Sequence, residues 1–302
     1  VYGAPLPELA DVPAGAIQVS PLVPGSLALE SFDERSLDSV VMVAPPGTIE
    51  RRYAIAVALK ALKIGGRLVV TAPKDKGGSR LGKELAAFGC ASEESSRRHY
   101  RLCACARSES LTGLEDAIRT GGPARLPELG LWSQPGVFSW DRIDPGTALL
   151  LSVLPPLSGA GADLGCGVGV MSLAVLKSPA VTRLDLVDID RRAVEAARRN
   201  LADFPRARLH WADVRAAPLQ DVDPSDRLDF VVCNPPFHDG GAEDRALGQA
   251  FVRRARTLLK PGGVLWLVAN RHLPYEAVLD ETFNSVTRRA EAVGFKVYEA
   301  RR

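Results

Sequence analysis

Short apolar runs rich in β-branched residues recur along the chain, and several are followed by stretches in which apolar side chains return every three or four positions. The runs at 37–41, 67–72, 160–164, 183–187, 208–211, 228–233 and 264–269 predict strands. Helical stripes stand between them: Tyr53, Val57 and Ala61; Val194, Ala197 and Leu201; Leu247, Phe251, Ala255 and Leu258. Strands alternating with helices predict an α/β protein.

Two stretches of this pattern echo each other. Leu37-Asp38-Ser39-Val40-Val41 answers Leu228-Asp229-Phe230-Val231-Val232, and two prolines follow each. Further on, Leu62-Lys63-Ile64-Gly65-Gly66-Arg67-Leu68 answers Leu259-Lys260-Pro261-Gly262-Gly263-Val264-Leu265. In both, the expectation is strand, helix, a glycine in the left-handed conformation capping the helix, and strand again. The copies are unequal, because the residues before Ile17 leave no room for the glycine loop and first two strands that the second copy carries. The expected organisation is a partial, degenerate copy in 1–122 and a full domain in 123–302, with the Gly- and Pro-containing stretch 121–136 as linker.

The 302-residue length agrees with two domains, and 46% hydrophobic with 25% charged residues is an ordinary globular composition. Net charge is only +2, so no global basic field points to nucleic acid. Basic residues cluster locally at Arg97, Arg98 and Arg101, at Arg198 and Arg199, and at Arg253, Arg254 and Arg256. Five cysteines without a C-x-x-C pair argue against a disulfide framework and against a zinc site, and Cys166 and Cys233 read as small buried residues. No charged-then-apolar leader precedes Arg35, and a start at Val1 in place of Met suggests that part of the natural N-terminus is missing. The weakly apolar run 148–162 is broken by Pro155 and Pro156 and is too short for a bilayer. The expectation is a soluble, cytoplasmic protein with no metal and no membrane partner; its oligomeric state is not legible.

The chemistry concentrates in the second copy. Asp144-Pro145 opens a helix, Asp as N-cap and Pro at the first helical position. The strand ending at Asp163-Leu164 then opens into Gly165-Cys166-Gly167-Val168-Gly169, a glycine turn leading into a helix. A dinucleotide fingerprint needs a third glycine where Val170 stands, which argues against nicotinamide. Asp163 would repel a pyrophosphate, whereas it suits the cationic amino end of S-adenosylmethionine. Asp188, at the next strand end, is placed to accept both ribose hydroxyls, and Asp213, at the third, to take the adenine amine. Asp190 reads as a helix cap.

The fourth strand delivers Asn234-Pro235-Pro236-Phe237. Two prolines make a rigid extended corner, so the Asn234 side-chain oxygen and the Pro235 carbonyl can converge on the two N–H donors of an exocyclic amine. The amine lone pair is then turned toward the electrophilic methyl, and Phe237 can stack on the base. The first copy, Val43-Ala44-Pro45-Pro46, lacks the Asn and is expected to be catalytically dead.

With Asp163-Leu164-Gly165-Cys166-Gly167-Val168-Gly169, Val187-Asp188-Ile189-Asp190 and Asn234-Pro235-Pro236-Phe237 in this order, the second half resembles the class I methyltransferases. That resemblance implies a Rossmann-like, seven-stranded, mostly parallel sheet, with Gly165, Cys166, Gly167, Gly169, Ile189, Val214 and Asn234 joining the three acids around the cofactor. Gly136-Val137-Phe138-Ser139, the extension His238-Asp239-Gly240 and Phe295-Lys296-Val297-Tyr298 narrow it, since they look like the bacterial ribosomal RNA guanine-N2 methyltransferases. Members of that group also carry a degenerate N-terminal copy. The resemblance therefore implies methyl transfer to the N2 amine of a guanine in ribosomal RNA, free or in a ribosomal subunit. An adenine-N6 or protein glutamine methyltransferase shares the Asn-Pro-Pro corner, and a non-catalytic RNA-binding or assembly protein is the alternative from another class.

Overall fold

The computed structural model describes residues 1–215, 227–236, 238–239, 242–243 and 245–302. Two compact units emerge, Val1–Ala124 with Gln134–Gly136, and Arg125–Ser133 with Val137–Arg302.

The first unit is a four-stranded sheet with helices. Its elements are β1 (Leu37–Val43), α1 (Thr48–Ala61), β2 (Leu62–Pro73), α2 (Leu81–Ala87), β3 (Glu93–Arg97), β4 (Tyr100–Ala106) and α3 (Leu114–Gly121). The strand order is β1-β2-β4-β3; β1 and β2 are parallel, and β4 runs antiparallel to both its neighbours. Helix α1 is buried around nearly its whole circumference, from Tyr53 to Leu59, so the stripe expected from the sequence is too narrow. The physical reason is α3, which approaches so closely that a Cβ on Gly121 would lie 2.4 Å from the Tyr53 Cβ. Burial on both sides turns an amphipathic surface helix into a core helix.

A short hairpin, β5 (Ala124–Leu126) with β6 (Leu131–Ser133), occupies the stretch expected to be a linker. In the second unit follow α4 (Pro145–Val153), β7 (Gly159–Leu164), α5 (Val170–Leu176), β8 (Val181–Asp188), α6 (Arg191–Asn200), β9 (Ala207–Trp211) and β10 (Leu228–Cys233). The two-residue strands β11 (His238–Asp239) and β12 (Ala242–Glu243) precede α7 (Arg245–Leu258), β13 (Leu259–Asn270), α8 (Tyr275–Thr282), β14 (Ser285–Ala292) and β15 (Phe295–Arg301). Seven strands form one sheet in the order β14-β15-β13-β10-β7-β8-β9, parallel from β13 to β9, with β15 antiparallel to both its neighbours. Apolar clusters cover both faces, which is why these strands read as near-continuous apolar runs.

The echo in sequence is an echo in backbone. The order β1-β2-β4-β3 repeats β10-β13-β15-β14 with the same strand directions. Even the irregularity recurs: the register breaks between Leu37 and Ser39 in one unit and between Leu228 and Phe230 in the other. The glycine pairs work differently from the expected helix caps. Both helices end earlier, at Ala61 and Leu258, and Gly65 (φ 76°) and Gly262 (φ 79°) instead let the chain fold onto the antiparallel neighbour. There the Gly65 N–H donates to the Arg107 carbonyl and that of Gly262 to Arg302, at 3.0 and 2.8 Å. No helix among the described residues is long and apolar enough to cross a membrane.

Candidate functional site

Strand β7 lies at the centre of the seven-stranded sheet, with β10 on one side and β8 on the other. The chain direction of strand addition reverses there, so the loops after β7, β8, β9 and β10 open a crevice at the carboxyl ends of the strands. The register brings those ends together, Cys233 beside Leu164, Leu164 beside Val187, and Asp188 beside Trp211.

The glycine loop needs its glycines for different reasons. Gly165, Gly167 and Gly169 have φ values of 75°, 53° and 89°, a region that side chains with a Cβ rarely adopt. At Gly167 nothing lies within 4 Å of where a Cβ would be, so its face is an open cradle. At Gly169 a Cβ would sit 3.2 Å from Leu201, so that glycine allows α5 to start against α6. The loop is tied down from two sides. The Gly167 N–H donates to Asp188 Oδ2 at 2.8 Å, and Asn200 Nδ2 donates to the Val168 carbonyl at 2.9 Å while the same side chain pairs with the Trp132 backbone. Cys166 contributes through its backbone, donating to the Val187 carbonyl, and burial pushes its thiol well up from the ordinary range.

The acids differ in ways the sequence does not reveal. Asp163 is fully buried behind the loop, where Ser172 donates to its Oδ2 at 2.6 Å and Oδ1 has no hydrogen-bond partner. Desolvation pushes its carboxyl up to about 7. An orphaned, buried acceptor two residues before Gly165 fits a bound group that carries a cationic amine. Asp188 is only partly buried in the fold; desolvation raises it to about 6, while donors from Asp190 and Gly167 pull the other way. Its Oδ1 accepts from the Asp190 N–H at 2.9 Å, so Asp188 braces the loop and still keeps lone pairs for ribose hydroxyls. Asp190 caps α6 by accepting from the Arg192 N–H. The Ile189 carbonyl accepts from the Trp211 indole at 2.8 Å.

Asp213 follows the end of β9. Both its oxygens accept from Arg215, at 2.8 to 3.1 Å, and those hydrogen bonds hold its carboxyl below the usual range. Asp213 thus holds a two-residue turn with Arg215, and Val214 is buried in the apolar core beneath it.

At the end of β10, Asn234 has partners that its sequence neighbourhood does not announce. Its Nδ2 donates to Asp144 Oδ2 at 2.9 Å and to Thr147 Oγ1 at 3.0 Å. Asp144 is the N-cap of α4, as expected, and the same Oδ2 accepts from the Thr147 N–H at 2.9 Å. Phe138, Ser139, Arg142, Asp144, Thr147 and Asn234 line one cleft with the glycine loop. Ser139 has φ 50°, a strained conformation for a serine, and Phe138 is exposed beside it. Pro235 is buried and Pro236 half-buried, whereas Phe237 lies outside the described residues.

A sheet of this order, with a glycine loop after its first strand, a loop-bracing acid after the next and an Asn-Pro-Pro corner after the fourth, defines a class I S-adenosylmethionine-dependent methyltransferase. Residues 128–299 match the family described as methyltransferase small domain. The chain is 36% identical over 270 residues to ribosomal RNA small subunit methyltransferase C of Pseudomonas aeruginosa, covering 87% of this chain and 79% of that protein. Its identity to the Klebsiella pneumoniae protein of the same name is 34% over 282 residues, 93% of this chain and 80% of that one. Among solved structures, the T. thermophilus 16S rRNA N2 methyltransferase (RsmC), in complex with AdoMet and guanosine, matches with a TM-score of 0.75. The identity is 30%, over 91% of this chain and 76% of that one. The chain belongs to the ribosomal RNA small subunit methyltransferase C family.

Proposed function

We propose that this protein transfers a methyl group from S-adenosylmethionine to the exocyclic N2 amine of a guanine in ribosomal RNA, in the cytoplasm. The observation that carries the reading is the amide of Asn234. Both of its protons are engaged by Asp144 and Thr147, so its carbonyl end is left for an incoming donor at the mouth of the glycine loop. An aromatic amine has two N–H groups to donate, and accepting them draws its lone pair out of conjugation with the ring. S-adenosylmethionine, when bound, supplies the electrophilic methyl on a good leaving group. The chain's own part is to orient the amine and to hold the loop, with Asp163, Asp188, Gly165, Gly167 and Gly169 as the residues that would hold the cofactor. Incubation of the protein and labelled cofactor with ribosomal RNA lacking the mark, followed by nucleoside analysis, is expected to yield N2-methylguanosine. N6-methyladenosine, or transfer to protein only, would overturn the substrate.

The first unit fits a degenerate copy that binds no cofactor and helps to hold RNA. It has the later four strands of the sheet without the glycine loop, and Val43 stands where the register places Asn234 in the second unit. Its basic β3–β4 turn has Arg98 and His99 at φ 47° and 64°. The arginines there are already engaged: Arg97 donates to the Glu8 carbonyl at 2.8 Å, Arg98 pairs with Glu8 at 2.9 Å and Arg101 with Glu94 at 3.3 Å. Phosphates would have to compete with two carboxylates. Replacing all three by alanine should weaken RNA binding and lower the salt slope by about one for every phosphate that is no longer neutralised. An unchanged slope would remove this turn from the interface.

A further inference from the structure

The Asn234 side chain can present either end of its amide to the reacting site, and the two orientations differ only by a rotation of its terminal torsion. Only one of them accepts from an amine; the other points donors at donors. The β10 corner does not choose between them, because prolines constrain the backbone and not this torsion. The choice is made from α4, far earlier in the chain. We propose that Asp144, together with Thr147, is a positioning residue for methyl transfer, which fixes the Asn234 amide with its oxygen toward the substrate amine. This rests on the reading of Asn234 given above.

The geometry assigns each atom a task. Asp144 Oδ2 accepts from the Thr147 N–H and from Asn234 Nδ2, both at 2.9 Å, and Thr147 Oγ1 takes the second amide proton at 3.0 Å. An ionised carboxylate only accepts, so a flipped amide would set its oxygen against Asp144 and lose a charge-assisted bond. The same interaction polarises the amide and makes its oxygen a better acceptor. The helix behind the brace is tightly packed. Leu150 of α4 is fully buried, α4 packs on β13, β14 and β15, and Gly146 is required because a Cβ there would lie 2.7 Å from the Phe295 ring. Thr147 is buried. A helix cap alone would need the Thr147 N–H bond and nothing more; the two bonds to Asn234 are in excess of that role.

The test is single-turnover methyl transfer to ribosomal RNA by the full chain, with KM, cofactor affinity and thermal midpoint measured on the same variants. Asp144→Ser retains a capping oxygen on too short a side chain to reach Asn234. It should lower the transfer rate by roughly 10- to 100-fold, with KM and cofactor affinity within about twofold of wild type. Asp144→Asn can place its single oxygen at the shared position and should keep most of the rate. Thr147→Val, which preserves shape and backbone N–H, should cause a smaller loss of the same kind and serves if Asp144→Ser does not fold. In an Asn234→Ala background, Asp144→Ser should add no further loss. An undiminished rate in Asp144→Ser, a loss confined to KM or to thermal stability, or a full multiplicative loss on top of Asn234→Ala would each overturn the proposal. Those failures are distinct from failure of the underlying reading, which would show as wild-type transfer by Asn234→Ala alone.

Discussion

Asn234→Ala should lose about a hundredfold or more in methyl-transfer rate while binding cofactor nearly as tightly as wild type. One preorganised polar interaction with the reacting group, in a site shielded from water, typically contributes about 3 kcal/mol to the barrier, which is more than a factor of about 100 in rate. The interaction is preorganised here because both amide protons are spent on Asp144 and Thr147 before substrate arrives. No reorganisation is then left for the transition state. Cofactor affinity should survive because the glycine loop is held by hydrogen bonds to Asp188 and Asn200, whereas the Asn234 amide bonds to Asp144 and Thr147. Single-turnover transfer of labelled methyl, with calorimetry for the cofactor product, separates the two quantities. A wild-type rate would refute the assigned mechanism, and a parallel collapse of cofactor binding would move Asn234 from substrate orientation to the cofactor pocket.

Arg51→Ala should destabilise the first unit by about 3 to 5 kcal/mol, enough to lower its unfolding midpoint by more than roughly 10 °C. The guanidinium is fully buried and donates to both oxygens of Glu84, at 2.7 and 2.8 Å, and to the carbonyls of Pro45 and Pro46 at 3.2 and 2.8 Å. Truncation leaves Glu84, buried as well, without its counter-charge and two carbonyls without a donor. It also empties a space packed so closely that a Cβ on Gly77 would lie 2.1 Å from an Arg51 nitrogen. Replacing Arg51 by Met and Glu84 by Leu together should recover the part of the loss that comes from the unpaired Glu84 charge and the emptied space, because desolvating the pair offsets much of its attraction, while the two carbonyls stay without their donor. Thermal unfolding followed by calorimetry checks both, and a shift of only a degree or two for Arg51→Ala would mean that water reaches the site. There is a functional corollary. In the first unit the proline corner spends its carbonyls on an internal arginine, whereas in the second Asn234, just before the prolines, lines a cleft.

Much of this was legible in the residues themselves, because the determinants are local. Alternating strand and helix periods, the Asp144-Pro145 cap, the glycine loop and the Asn-Pro-Pro corner each act over a few positions of chain, where backbone sterics allow few alternatives. The echo between 37–68 and 228–265 was equally plain, and its outcome is a repeated sheet order with a repeated register break. Tertiary structure decided what depends on partners distant in sequence. It buried α1 on both sides through α3, and it moved the glycine pairs from helix ends to strand turns, because Gly65 and Gly262 meet the far ends of antiparallel neighbours. It withdrew Asp163 from the surface and joined Asp144 to Asn234. A carboxylate has the same formula in a cap, a turn or a site; which of these it becomes is set by the donors that folding brings within about 3 Å of it, and most of those lie elsewhere in the chain.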